Sequence, residues 1–311
     1  MNFIIFAISI GVLIWGAELL INQSERIAFK YKIPEFIIGA TLIALGTSLP
    51  EMAASIAASS RGHSEIAIAN VIGSNILNIT LVLATVFLIS RKIEPTRDFF
   101  AKDSAWALIP VLVFVLMIID GVISRFDAML LLLLMGAYLM FLLQDAKDVP
   151  QEEHDDIDLE HFAWKNTIMI LIAGFFMVIV GAHFTVDSAS EIARSFEVSE
   201  WVIGILMISL GTSLPELMVS ISAAKRGKVD MAIGNIIGSN LANTTVVLGA
   251  AALVNPMKID TMSYIFDIST MIVATLLLVF ITANKLYNKS AGISLIIVLG
   301  LFLSNTLQQL Q

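Results

Sequence analysis

No cysteine occurs among the 311 residues, which excludes disulfide staples, thiolate metal centres and cysteine nucleophiles. Charge is scarce as well: Asp, Glu, Lys and Arg together make up 14% of the chain, against roughly a quarter in an ordinary soluble domain. Of the four histidines, His154 and His161 stand in an acidic stretch, His63 falls in a turn, and His183 lies near the end of an apolar run; no pair has metal-ligand spacing. The sequence also lacks H-E-x-x-H, G-x-S-x-G and a paired catalytic Asp signature, so an enzyme is not expected. The first residues, MNFIIFAISIGVLIWGAELL, have no basic leader region and no small-residue cleavage site, and they read as a retained first helix.

What the chain does contain is apolar residues, 58% of the total, with a mean hydropathy of +0.89. Runs of about 18 or more largely apolar residues, enough to cross a hydrocarbon core ~30 Å thick, recur along the whole length. They fall at 3–21, 36–60, 66–90, 103–119 and 124–143, then at 164–186, 201–224, 230–254, 262–282 and 290–307. The expected fold is therefore an all-α polytopic membrane protein with ten transmembrane helices.

One pattern occurs twice. Residues 39–78 read GATLIALGTSLPEMAASIAASSRGHSEIAIANVIGSNILN, and residues 204–243 read GILMISLGTSLPELMVSISAAKRGKVDMAIGNIIGSNLAN, an ungapped match 165 residues apart with 22 of 40 positions identical. A packing repeat would share its Leu and Ile. Here most identities are small or polar, among them Thr47, Ser48, Pro50, Glu51, Asn70, Gly73, Ser74, Asn75 and Asn78 with their partners up to Asn243. The chain divides into a first five-helix repeat (1–143), an acidic linker (144–163) and a second five-helix repeat (164–311).

Basic residues give the expected orientation, because Lys and Arg in short loops stay on the cytoplasmic side. With both termini outside, fourteen of the 18 basic residues lie in inward loops and only Arg61, Arg125, Arg194 and Lys258 lie outside. Five helices per repeat is odd, so the second copy is expected to cross the membrane inverted relative to the first, the plan of many secondary transporters. The linker QDAKDVPQEEHDDIDLEH carries eight acidic residues and one Lys, and it lacks the Gly and final Glu of an EF-hand loop. It reads as a solvated connector.

In a helix, Thr47, Ser48, Glu51 and Ser55 share one face, as do Thr212, Ser213, Glu216 and Ser220. In the helix that follows each set, Asn70, Ser74 and Asn78, and then Asn235, Ser239 and Asn243, form further polar stripes. Pro50 and Pro215 fall mid-span, where each removes a backbone hydrogen bond and loosens the carbonyl four residues earlier, at Gly46 or Gly211. Small residues alone would suit close helix packing. Two carboxylates at equivalent mid-membrane positions need another explanation, since a charge there costs about 2.5–3.5 kcal/mol or more. The candidate ligands are all oxygens: Glu51 and Glu216, the hydroxyls of Thr47, Ser48, Ser74, Thr212, Ser213 and Ser239, and the amides of Asn78 and Asn243. Hard cations such as Ca²⁺ and Na⁺ take such sets; soft metals do not.

The two GTSLPE…GSN…N segments resemble the α-repeats of the calcium/cation antiporter superfamily, and most closely its prokaryotic sodium/calcium exchangers; the resemblance extends over the whole ten-helix plan. It implies that the ten residues just named form cation sites at the bilayer centre, and that helices 1 and 6 slide as a gating pair across the other eight. Some relatives carry Asp at the last position of the second motif. Asn78 and Asn243 are both neutral, which implies exchange independent of potassium. Ala69 stands where the second copy has Gly234, and Glu18 and His183 occupy equivalent places near the ends of helices 1 and 6, either along an access path or at the membrane interface. The expected protein is an antiporter that exports Ca²⁺ against Na⁺ across the cell inner (plasma) membrane. No cofactor or nucleic acid is expected; its partners are the two ions and the lipid bilayer, and it is expected to be a monomer. The nearest rival is a proton-coupled calcium exchanger. A cation channel suits enclosed carboxylates on inverted repeats less well.

Overall fold

The computed structural model describes residues 2–90, 93–146, 163–195 and 200–308, with the side chains of residues 186, 189, 190, 193, 194 and 200–210 left aside. Linker residues 147–162, with Lys147, His154 and His161, lie outside the described residues, as do Arg91, Lys92 and the side chain of Arg194.

The chain runs as α1 (Asn2–Tyr31), a bent α2 (Glu35–Thr47 and Leu49–Ser60), α3 (Ser64–Ile89), α4 (Phe99–Asp120), α5 (Arg125–Asp145), α6 (Trp164–Ser195), α7 (Glu200–Lys225), α8 (Val229–Val254), α9 (Ile265–Ala283) and α10 (Lys289–Gln308). Among the described residues eight of these helices are long and apolar enough to cross a membrane, nine if the bent α2 is counted as one span. Two short strands, β1 (Val122–Ile123) and β2 (Met257–Lys258), pair antiparallel with Val122 opposite Lys258, and so tie the α4–α5 turn to the α8–α9 turn.

Local chemistry sets the ends of these rods. Asp98 caps α4 by accepting from the Ala101 amide at 3.0 Å, and Ser124 with Asp127 forms a capping box at the start of α5. The two motif hairpins turn alike: Gly62 and Gly227 sit at φ 82° and 78°, where a side chain would be strained, and each glycine N–H reaches back to the carbonyl three residues before it at 3.0 Å.

Burial separates the centre from the rim. In α3 and α8 the share of the apolar window that is buried is 78%; in α1, α4, α5, α6, α9 and α10 it is 28–44%. The two central helices are those that carry the N…GSN…N motif. α2 packs backbone to backbone on α8: a Cβ on Gly39 would stand 2.3 Å from the Met231 carbonyl, and one on Gly238 would stand 2.4 Å from that of Ala40. This is the close approach that small residues permit between helices in lipid. α1 and α6 lie against each other in the same way, with Gly16 under Met177 and Gly181 against the Leu13 backbone. Both extend beyond their apolar windows, α1 to Tyr31 and α6 to Ser195.

At one end of the bundle an ion cluster ties four helices. Arg97, 6% exposed, donates to Asp103 at 2.6 and 2.9 Å and to Asp145 at 2.5 Å; Lys102 adds a second bond to Asp145. The guanidinium also lies 4.1 Å from the centre of the Phe36 ring, and Lys228 pairs with Glu35 at 2.6 Å. Burial disfavours the charged Arg97, but Asp103 and Asp145 more than offset it and raise its pKa above the ordinary arginine value. Removing one member of a buried ion pair costs about 3–5 kcal/mol, because its partner stays behind uncompensated. Arg97→Ala is therefore expected to lower the melting temperature of the detergent-purified protein by several degrees, while Lys102→Ala, which removes a half-exposed partner, costs far less.

Candidate functional site

The site begins with the break in α2. The helix stops at Thr47, Ser48 takes φ −81° and ψ 5°, and a second segment bent by 43° starts at Leu49 with Pro50 in its first turn. Proline is tolerated there because its missing N–H would have no partner in any case. In the second copy the outcome differs: α7 stays helical from Glu200 to Lys225 with Pro215 inside it. The sequence led us to expect the same opening in both copies. A proline in a helix interior forfeits one hydrogen bond, and in α7 the flanking turns remain helical across that loss.

Both Asn residues that end the motif open a π-helical stretch, Asn78–Leu83 in α3 and Asn243–Val247 in α8, and a third runs over Gly39–Ile43 ahead of the α2 break. A π turn widens the helix by one residue per turn and re-aims the side chains that follow, a device common at functional sites.

Of the ten sequence-predicted residues, Thr47, Ser48, Glu51, Ser74, Asn78, Ser213, Glu216, Ser239 and Asn243 are each at most 3% exposed, and Thr212 is half-buried. The copies interlock. Ser48 of the first donates to Glu216 Oε1 of the second at 3.4 Å. Thr47 lies 3.5 Å from Ser239, and Ser74 lies 3.4 Å from Thr212, the same contact 165 residues on with the roles of the copies exchanged. Glu51 follows Ser48 by three residues on α2, one turn from the hydroxyl that reaches Glu216. Among the described residues no three acidic, histidine or cysteine groups come together, so these two carboxylates share their surroundings with neutral oxygens.

Many of those atoms have no partner in the protein. Both carboxylate oxygens of Glu51, Oε2 of Glu216, the Ser213 hydroxyl, and both amide atoms of Asn78 and of Asn243 are buried without a hydrogen bond. A buried polar group left so costs about 1–3 kcal/mol, more when charged, and native interiors hold few. Eleven such atoms lie within the two motifs, 39–78 and 204–243, and others, among them those of Ser90, Tyr138 and Thr167, lie outside them.

Two asparagines that the sequence marks only as members of polar stripes hold the next side chains behind the site. Asn70 and Asn235 donate from Nδ2 to Ser55 and Ser220, each at 3.0 Å. Their place in the polar stripe was legible; their bonding was not. Gly46, whose carbonyl the sequence expects Pro50 to loosen, is also where the Phe175 ring of α6 rests on the α2 backbone, with ring carbons 2.0–2.8 Å from where a Cβ would stand. Glu18 and His183 are both exposed, and His183 reaches Asp187 on its own helix at 3.2 Å.

A helical membrane protein with two interlocked carboxylate motifs at its centre has the architecture of an ion exchanger, and comparison with known proteins gives the family. A family model described as sodium/calcium exchanger protein matches residues 1–144 and 166–308, and the chain belongs to that family. It is 31% identical over 304 residues to the inner membrane protein YrbG of Escherichia coli K12, with 93% of each chain covered. It is 30% identical over 341 residues to the sodium/calcium exchanger MaX1 of Methanosarcina acetivorans, with 97% of each covered. Among solved structures, the sodium-calcium exchanger NCX_Mj soaked with zero Na⁺ and Ca²⁺ superposes with a TM-score of 0.82 at 31% identity over 98% of both chains. The chain is thus a transporter of the calcium/cation antiporter family.

Proposed function

We propose that the chain is a secondary antiporter that exports Ca²⁺ in exchange for Na⁺, and that Thr47, Ser48, Glu51, Ser74, Asn78, Thr212, Ser213, Glu216, Ser239 and Asn243 bind both ions in turn. The observation that carries this reading is the set of buried, unpartnered oxygens on and around Glu51 and Glu216, in motifs joined by the Ser48–Glu216 bond. Ca²⁺ takes six to eight oxygen ligands at about 2.3–2.6 Å. Two carboxylates neutralise one Ca²⁺ or more than one Na⁺, so either cargo suits the same groups, and the ions compete.

The ten-helix plan, with repeats at 1–143 and 164–311 inverted about the linker 144–163, is supported by the matched contacts of the two motifs and by the charge bias. That bias favours both termini outside the cell inner membrane, with the linker inside. The chain works as a monomer in lipid, with α1 and α6 sliding together as the gate. Their glycine-lined mutual contact and largely exposed outer faces suit a unit that moves against the bundle. Arg61 and Arg226, equivalent in the motif and both exposed, then face opposite sides. In this cysteine-free chain, Arg61→Cys and Arg226→Cys are expected to react with an impermeant maleimide from opposite sides of oriented vesicles; same-side labelling contradicts the inverted plan.

Proteoliposomes loaded with Na⁺ test the function. Uptake of ⁴⁵Ca on dilution into Na⁺-free buffer should exceed uptake at equal Na⁺ many-fold. Uptake that ignores Na⁺ and follows an imposed pH gradient assigns the chain to proton-coupled exchange instead.

A further inference from the structure

Behind the ligand hydroxyls stands a second pair of side chains. Ser55 donates its hydroxyl hydrogen to the Ala67 carbonyl at 3.4 Å, which leaves its oxygen to accept from Asn70 Nδ2 at 3.0 Å. Asn70 Nδ2 also reaches the Glu51 carbonyl at 3.3 Å. An amide has one donating and one accepting end, so with Nδ2 held by these two oxygens Oδ1 is turned the other way. There it meets the Thr212 hydroxyl at 3.5 Å. The second copy carries the two central contacts: Asn235 Nδ2 donates to Ser220 at 3.0 Å, and the Thr47 hydroxyl lies 3.4 Å from Asn235 Oδ1, as well as 3.3 Å from the Ala44 carbonyl on its own helix. Asn235 and Ser220 are almost wholly buried, at 1% and 0% exposure.

We propose that Asn70 and Asn235 are positioning residues that set the proton of the opposite copy's threonine, Asn70 for Thr212 and Asn235 for Thr47. A hydroxyl carries one hydrogen and two lone pairs. If the hydrogen points at the cation, the hydroxyl repels it. With the hydrogen drawn toward the amide oxygen, both lone pairs face the carboxylate cluster, and the threonine becomes a ligand without having to reorient as the ion arrives. Each asparagine thereby makes a ligand of one copy depend on the other copy's helix, α3 acting on α7 and α8 on α2. This rests on Thr47 and Thr212 binding the ion, as proposed above.

A double-mutant cycle on the purified full-length protein separates the two ideas, with equilibrium ⁴⁵Ca binding and the melting temperature of the ion-free protein as readouts. Thr212→Val and Asn70→Ala are each expected to weaken calcium binding, by about 5- to 20-fold. In the Thr212→Val background Asn70→Ala should then change affinity less than twofold, because the hydroxyl it orients is gone. An undiminished effect of Asn70→Ala in that background, with the factors multiplying, overturns the proposal, since Asn70 would then act on the fold and not through Thr212. If Thr212→Val binds calcium as the parent does, the ligand assignment itself fails, and the proposal with it. The cycle of Asn235→Ala with Thr47→Val reads the same outcomes independently should the Asn70 variant not fold.

Discussion

Replacing Glu51 or Glu216 by glutamine is expected to reduce sodium-dependent calcium flux at least 100-fold while leaving a folded protein. Among the described residues the two carboxylates have no third acidic group with them, so either substitution halves the negative charge that meets a divalent ion. Each tenfold in binding corresponds to about 1.4 kcal/mol, and a charge–charge contact in a buried setting exceeds twice that. Stability should move the other way. Both side chains are fully buried and three of their four oxygens have no hydrogen bond in the protein, so neutralising one relieves the ion-free protein of a costly charge. The ion-free melting temperature is expected to be unchanged or higher in each variant. Sodium-dependent calcium flux retained in either variant would place the ion elsewhere, and a collapse of the fold would mean that the carboxylates hold the structure together.

The second large effect is steric. Gly46→Ala is expected to cut calcium flux roughly 5- to 150-fold, and Phe175→Ala introduced with it is expected to restore most of the loss. The new methyl would stand 2.0 Å from the Phe175 ring, far inside contact distance. Overpacking of this kind costs about 1–3 kcal/mol, borne by the arrangement in which α6 rests on α2. If that arrangement belongs to the transport cycle, the cost appears as lost turnover. Rescue by a smaller side chain on another helix is the outcome that distinguishes a α2–α6 contact from general damage to α2. If Gly46→Ala is inactive and the double variant equally so, the methyl acts on the ion site directly and not on the α6 contact.

Much of this was readable before any coordinates. Glu51, Glu216 and their hydroxyl neighbours stand out because polar identities recur in an apolar setting, at spacings that place them on one helical face. The residues that escaped did so for physical reasons. The π turns at Asn78 and Asn243 leave no mark in composition, since the widened turn is held by what packs around it. Hydropathy ends α1 near residue 21, yet the helix continues to Tyr31, because a rod leaving lipid keeps its backbone bonds while its side chains turn polar. The same reading only counts Arg97 among the basic residues of the inward loops, although it is buried between Asp103 and Asp145; burial of a charge depends on partners that a one-dimensional scan does not see. The different fates of Pro50 and Pro215, in near-identical sequence contexts, show that the break at Ser48 comes from tertiary surroundings as well as from the proline.

The central claim is that calcium and sodium use one cluster of oxygens, built jointly by the two copies. Equilibrium ⁴⁵Ca binding to the purified protein at increasing Na⁺ tests it directly. Na⁺ is expected to weaken calcium binding competitively, with more than one Na⁺ needed per Ca²⁺ displaced and the number of calcium sites unchanged, and Glu51→Gln and Glu216→Gln are each expected to abolish the binding. Calcium that stays bound at saturating Na⁺, or that survives in either variant, would contradict it.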